Sequence, residues 1–111
     1  MSTTKYKVSL TPAADRDLDD IHCYIAEMIS VGEADRLIDL LVEKIGKLAE
    51  FPERGSVPQE LDAVGRGQYR QVVQPPYRII YRRIADTVFI YLIADGRRDM
   101  QTLLRHRLLS A

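Results

Sequence analysis

The run Thr87 to Ala94 constrains this fold most, because it puts apolar side chains on both sides of one strand. In a regular strand Val88, Ile90 and Leu92 point one way, and Phe89, Tyr91 and Ile93 point the other. Such a strand sits inside a sheet and needs cover on both faces. The 111 residues are enough for one core but not two, so a single domain spanning residues 1–111 is expected.

Much of the cover is written in the first half. Tyr6, Val8 and Leu10 alternate with Lys5, Lys7 and Ser9, the period of a half-buried strand. Thr11 and Pro12 then read as an N-cap and first-turn pair, and Asp15, Asp17, Asp19 and Asp20 suit the positive end of a helix dipole. Ala14, Leu18, Ile21, Ile25, Met28 and Ile29 form a helical stripe that Ser30-Val31-Gly32 is expected to end. A second stripe, through Ala34, Leu37, Ile38, Leu41, Ile45 and Leu48, predicts a helix from about Glu33 to Glu50, stopped by Phe51-Pro52. The short link makes the two an antiparallel helical hairpin.

Residues 52–67 carry Pro, Gly and Ser without a period and are expected to form a long loop. Three β-rich runs follow, Tyr69 to Val73, Tyr77 to Arg83 and Thr87 to Ala94, a three-stranded antiparallel meander. Beyond Asp95-Gly96, the residues Met100, Leu103, Leu104 and Leu108 predict a short C-terminal amphipathic helix. That helix covers part of the second sheet face and leaves the rest for a partner. The expected class is therefore α+β.

A net charge of zero hides a split that bears on function. Up to Gly55 there are seven basic and eleven acidic residues; after it there are nine and five, and all nine bases are arginine. A basic surface is expected on whatever the second half builds. The lone Cys23 cannot form an internal disulfide, and the longest apolar run, Val88 to Ala94, is too short to span a bilayer. A cytoplasmic protein with no membrane association is expected.

Four strings resemble the ParE branch of the ParE/RelE toxin family: Val8-Ser9-Leu10-Thr11-Pro12-Ala13-Ala14, Leu48-Ala49-Glu50-Phe51-Pro52-Glu53-Arg54-Gly55, Pro76-Tyr77-Arg78-Ile79-Ile80-Tyr81-Arg82 and Asp95-Gly96-Arg97-Arg98-Asp99. Their order and spacing carry the resemblance across nearly the whole chain. It implies a type II toxin that poisons DNA gyrase, with or without its cleaved DNA. It also implies a ParD-like ribbon-helix-helix antitoxin as partner, through which operator DNA is reached only indirectly. Antitoxin-contact candidates are Leu40 and Val42 on the second helix and Phe89, Tyr91 and Ile93 on the doubly apolar strand.

RelE-branch relatives cleave mRNA on the ribosome, which requires groups that accept and donate protons. Arginine is barred from that work by its high pKa, and the last lysine of this chain is Lys47. No catalytic residue, metal or cofactor is therefore assigned, although Tyr77 or Tyr81 keeps a nuclease open as the second reading. His22 and Cys23 diverge on their helix and do not share a metal. A third reading is an inert homologue that only co-represses its operon. The gyrase or DNA contact candidates are Arg97, Arg98, Arg105 and Arg107, taken as a flexible basic end. Arg98 and Arg105 share a face if 98–109 is helical. Arg78 and Arg82, with Arg70 beside them, form a secondary basic surface that either contacts a macromolecule or pairs with helix carboxylates.

Overall fold

A computed structural model, in which residues 5–109 are described, places a four-stranded sheet between two unequal helical layers. The strands are β1 (Lys7–Leu10), β2 (Arg70–Gln74), β3 (Tyr77–Ile84) and β4 (Thr87–Asp95), in the order β1-β4-β3-β2. β2, β3 and β4 form the expected antiparallel meander, and β1 joins β4 in parallel with Val8 opposite Val88. The helices are α1 (Pro12–Met28), α2 (Val31–Gly46), α3 (Gln59–Asp62) and α4 (Met100–Leu104).

Local chemistry accounts for the helical hairpin. The Thr11 hydroxyl accepts from the Ala14 N–H at 3.1 Å and so caps α1, with Pro12 in the first turn. Ser30 does the same for α2, accepting from the Glu33 N–H at 3.1 Å. α1 ends at Met28, just ahead of the expected stop at Ser30-Val31-Gly32, but α2 begins at Val31 rather than at about Glu33, with Ser30 as its cap and Gly32 inside it. α2 ends at Gly46 in a 3-10 turn over Lys47–Ala49, short of the expected boundary at Glu50.

The meander departs from regular alternation at one residue. Ile80 pairs with Leu92 while Tyr81 pairs with Ile90, so Tyr91 is an extra residue in β4. A bulge of this kind reverses the parity of the strand beyond it. Val88, Ile90 and Ile93 consequently join the core under α1 and α2, whereas Leu92 and Ala94 face the other way. The expectation that Val88, Ile90 and Leu92 share one face, and Phe89, Tyr91 and Ile93 the other, is corrected accordingly.

The larger core lies between the hairpin and the sheet and contains Ala14, Leu41, Ile45, Leu48, Ile79 and Tyr81. A smaller core on the opposite face gathers Leu61, Tyr69, Ile80, Leu92, Met100 and Leu104. α4 therefore supplies the cover expected of it. α3, inside the segment read as plain loop, adds Leu61 to that layer.

Tyr81 holds the connection from α2 to the sheet. Its buried hydroxyl donates to the Pro52 carbonyl at 2.8 Å and accepts from the Gly55 N–H at 3.0 Å. The chain there runs so close to β2 that a Cβ on Gly55 would overlap the Gln71 carbonyl and lie 2.6 Å from the Tyr81 hydroxyl. Replacing Tyr81 by Phe leaves the Gly55 donor and Pro52 acceptor without that partner. Urea unfolding of Tyr81→Phe is expected to show a loss of about 1–3 kcal/mol, with faster amide exchange concentrated in residues 52–56.

Candidate functional site

Asp17 organises the junction from which the candidate surface is built. It lies on the core-facing stripe of α1, three residues after Ala14 and four before Ile21, so its carboxylate points toward the sheet. β1 ends at Leu10, and β4 continues to Asp95 without a strand beside it on that edge. Asp17 Oδ2 accepts from the Ile93 N–H at 3.0 Å on this open edge. Arg107 donates to both oxygens of Asp17, at 2.8 and 3.0 Å, and to the Tyr91 carbonyl at 2.7 Å. Two exposed-edge backbone groups are thereby satisfied by side chains rather than by another strand.

These contacts correct the reading of Arg107 as part of a flexible basic end. A π-helical turn over Arg105–Leu109 continues α4 and folds it back onto the molecule. Arg98 lies before α4, whose cap is Asp99, so Arg98 and Arg105 do not occupy one continuous helix. Arg97, Arg98 and Arg105 are all exposed. Arg97 forms a fork with Asp95, at 3.0 Å through Nε and 2.6 Å through Nη2, and its N–H donates to the same carboxylate at 2.9 Å. Those hydrogen bonds hold the Asp95 carboxyl down to about 2.

The secondary arginines separate by face. Arg70 pairs with Tyr81 and Arg78 with Val73, an odd number of register positions apart, so Arg70 points to the hairpin side and away from Arg78 and Arg82. This corrects the expected grouping of the three. Arg70 donates to the Gly55 carbonyl at 2.7 Å and pairs with Glu53 at 3.1 Å. Arg78 makes a two-pronged pair with Glu60 of α3, both bonds at 2.9 Å, and donates to Gln71 Oε1 at 2.6 Å. The hydrogen bonds from Arg78 hold the Glu60 carboxyl below its ordinary range. Arg82 lies over the Tyr69 ring, 5.7 Å from its centre, and Tyr69 meets Tyr91 edge to face at 5.4 Å.

Of the apolar contact candidates, Leu40 and Val42 are exposed on α2, Phe89 and Tyr91 are half-buried, and Ile93 is only 2% exposed. Between α1 and the open end of β4 lies a cavity of about 430 Å³ lined by Asp20, Ile21, Tyr24, Tyr77, Ile93 and Arg98, among others. Burial, and then the charge of Asp95, raise the Tyr77 phenol above its usual range. The Tyr81 phenol is raised chiefly by burial and is occupied by backbone partners. Neither tyrosine is pushed toward proton exchange near neutral pH. Among the described residues no group of three His, Cys, Asp or Glu side chains is placed to hold a metal ion, and no helix is long and apolar enough to cross a membrane.

The order of elements has a counterpart among known proteins. The family described as "ParE toxin of type II toxin-antitoxin system, parDE" matches residues 8–100. The chain belongs to the ParE toxin family. Its fold is similar to that of the chromosomal ParDE system from P. aeruginosa, with a TM-score of 0.71 and 21% identity over 85% of this chain and 98% of that chain. It is also similar to the toxin–antitoxin complex RelBE2 from Mycobacterium tuberculosis, with a TM-score of 0.60 and 23% identity over 85% of this chain and 94% of that chain. No curated protein sequence matches it significantly. This ParE-family chain is thus a toxin of a type II toxin–antitoxin system with an α+β fold.

Sequence reasoning missed Asp17 and Glu60 as structural anchors. The signal for Asp17 was present, because a carboxylate on the inward stripe of a helix needs a partner. Replacing Asp17 by Ala strands Arg107 and the Ile93 N–H together. Urea unfolding of this variant is expected to show a loss of about 3 kcal/mol, the low end for a broken buried pair because both side chains keep some solvent contact.

Acid should dissolve the two arginine forks in a defined direction. Glu60 and Asp95 bind protons less tightly folded than unfolded, so each pair stabilises the fold fully above the ordinary carboxylate pKa of about 4. For Asp95 the contribution is lost as pH falls to about 2. Glu60→Gln is expected to be less stable than the parent at pH 7, and the difference should shrink as pH falls through and below the ordinary carboxylate range. Paired urea titrations across that range measure it.

Proposed function

We propose that this toxin inhibits DNA gyrase by binding it, alone or with its cleaved DNA, and is neutralised by a ParD-like ribbon-helix-helix antitoxin. The observation that carries the reading is the exposed pair Arg97 and Arg98 in the turn after β4, with Arg105 exposed beyond α4, on a chain of the ParE family. Guanidinium groups suit carboxylates and phosphates equally, which fits a protein surface that itself holds DNA. The Asp95 fork fixes Arg97 across the turn while leaving further N–H groups turned outward. Binding also fits the acid–base inventory, since Tyr77 and Tyr81 are both shifted away from neutral pH and Tyr81 is taken up by the backbone.

In this reading Arg107 acts by positioning, because both its terminal nitrogens are engaged inside the fold, by Asp17 and the Tyr91 carbonyl. Arg78 and Arg70 likewise serve the fold through Glu60 and Glu53. Exposed Leu40 and Val42 on α2 remain suited to an amphipathic antitoxin helix. The antitoxin, rather than the toxin, carries the operator contact.

A supercoiling assay with purified gyrase tests the proposal. The parent toxin is expected to inhibit, and the double change Arg97→Ala with Arg98→Ala is expected to weaken inhibition at least tenfold while leaving the fold intact by circular dichroism. That corresponds to losing one charge-assisted contact of about 1.5–3 kcal/mol. Unimpaired gyrase in the presence of toxin, together with cleavage of ribosome-bound mRNA, would replace this reading with the nuclease.

A further inference from the structure

The string Phe51-Pro52-Glu53-Arg54-Gly55 leads from the hairpin to the sheet, and the Tyr81 hydroxyl grips it at both Pro52 and Gly55. Glu53 and Arg54 are thereby held between two fixed points. Arg70 lies opposite Tyr81 on β2, and Arg83 follows Tyr81 by two residues on β3, so both guanidinium groups rise from the hairpin side of the sheet toward that string. Glu53 takes one arginine on each oxygen: Oε2 lies 3.1 Å from Arg70 Nε, and Oε1 accepts from Arg83 Nε at 3.1 Å. One carboxylate shared by two guanidinium groups leaves a positive charge over. Exposed Arg54 adds to it, close enough to bear on the Tyr81 phenol together with Arg70 and Glu53. The neighbouring carboxylate, Glu50, is met by Lys5 at 3.9 Å.

The two forks keep donors in reserve. Arg70 Nη1 reaches the Gly55 carbonyl and Arg83 Nη1 the Ala85 carbonyl, while Nη2 of each has no acceptor among the described residues. The Tyr6 ring backs the Arg83 guanidinium, its centre 5.4 Å from Cζ. Both arginines line a cavity of about 210 Å³ with Glu53, Pro52, Gly67 and Gln68. Gly67 has no side chain and so lines it with backbone, and neither its N–H nor the Gln68 carboxamide is hydrogen-bonded among the described residues. The space is smaller than the roughly 300–1,000 Å³ of pockets that take drug-sized molecules, which suits a single compact ion.

We infer that this cavity binds a tetrahedral oxyanion of the phosphate class. Nη2 of Arg70 and of Arg83 donate to two of its oxygens and the Gly67 N–H to a third, while Glu53, whose oxygens are already taken, holds the two guanidinium groups apart. Phosphate is favoured over a carboxylate because the donors come from three segments, β2, β3 and the loop before β2, and a planar group with two oxygens does not engage all of them. The site stands whether or not gyrase is the target, and its phosphate is either free or part of a polynucleotide backbone.

Nuclear magnetic resonance of the isotopically labelled toxin supplies the test. Inorganic phosphate added at constant ionic strength should shift the Gly67 amide and the Arg83 Nε signal along one saturable curve. Half-saturation is expected at about 1 mM, the strength of two charge-assisted contacts. Chloride should saturate neither signal. Arg83→Gln should weaken phosphate binding at least fivefold, whereas Arg16→Gln, the same loss of charge on an exposed position of α1, should leave it within twofold. Arg83→Lys, which keeps the charge and loses the fork, should fall between them. A short DNA duplex without terminal phosphates forms the second arm: displacement of phosphate from the Gly67 amide identifies a backbone diester as the source, and no displacement identifies a free phosphate or monoester. Shifts that stay linear in phosphate, an equal response to chloride, or unchanged affinity in an Arg83→Gln protein with a native spectrum would overturn the site.

Discussion

The carboxylate of Asp17 is the point through which three parts of the molecule depend on one another. It belongs to α1, receives a backbone N–H from β4, and clamps the guanidinium of Arg107 from the last described turn. The pair retains little solvent contact on the Asp17 side, so removing one partner leaves a charge that the site cannot hydrate well. The bulge at Tyr91 sets the requirement, since it frees the Tyr91 carbonyl and Ile93 N–H at the place where β1 has already turned away. A charge pair answers a backbone need there, and the C-terminal segment is ordered as a result.

The same economy governs the sheet arginines. Several of the charges that make the second half basic are taken up by the fold, Arg78 by Glu60, Arg70 by Glu53 and Gly55, and Arg107 by Asp17. Among the exposed arginines, Arg97 and Arg98 sit in the turn after β4, held in shape by the Asp95 carboxylate and the Asp99 cap of α4. A rigid turn presents its guanidinium groups with less entropy to lose on contact than a floppy tail does. Arg97 and Arg98 thus stand on a backbone that the turn fixes.

The sequence was informative where periodicity and capping decide, and silent where register decides. Thr11 and Pro12 mark the start of α1, and the alternation around β1 holds. The two-sided strand also finds cover on both faces, as its composition requires. Nothing in the string Phe89-Ile90-Tyr91-Leu92 announces an extra residue, because every one of them is apolar and either parity satisfies the pattern. The misassignment of Leu92 and Ile93 follows from that degeneracy. α3 is a single turn inside an aperiodic segment, too short for a stripe, and it is held by Leu61 and Glu60 through contacts distant in sequence. At the site, the arginines of the turn were legible as residue types, while the engagement of Arg107 was not, since its partner Asp17 lies far along the chain and within a run of acidic residues that reads as a helix start.

The parallel pairing of β1 with β4 has a consequence for the making of the protein. Val8 finds its neighbour only at Val88, so the centre of the sheet cannot close until most of the chain has left the ribosome. Contacts of such high order are slow to form and leave the amphipathic hairpin, which folds locally, without the surface it packs on. An interrupted translation product ending before Thr87 lacks both the central strand and the arginine turn. A fragment that stops short of β4 therefore leaves the apolar stripes of the hairpin without the sheet face that covers them in the finished fold.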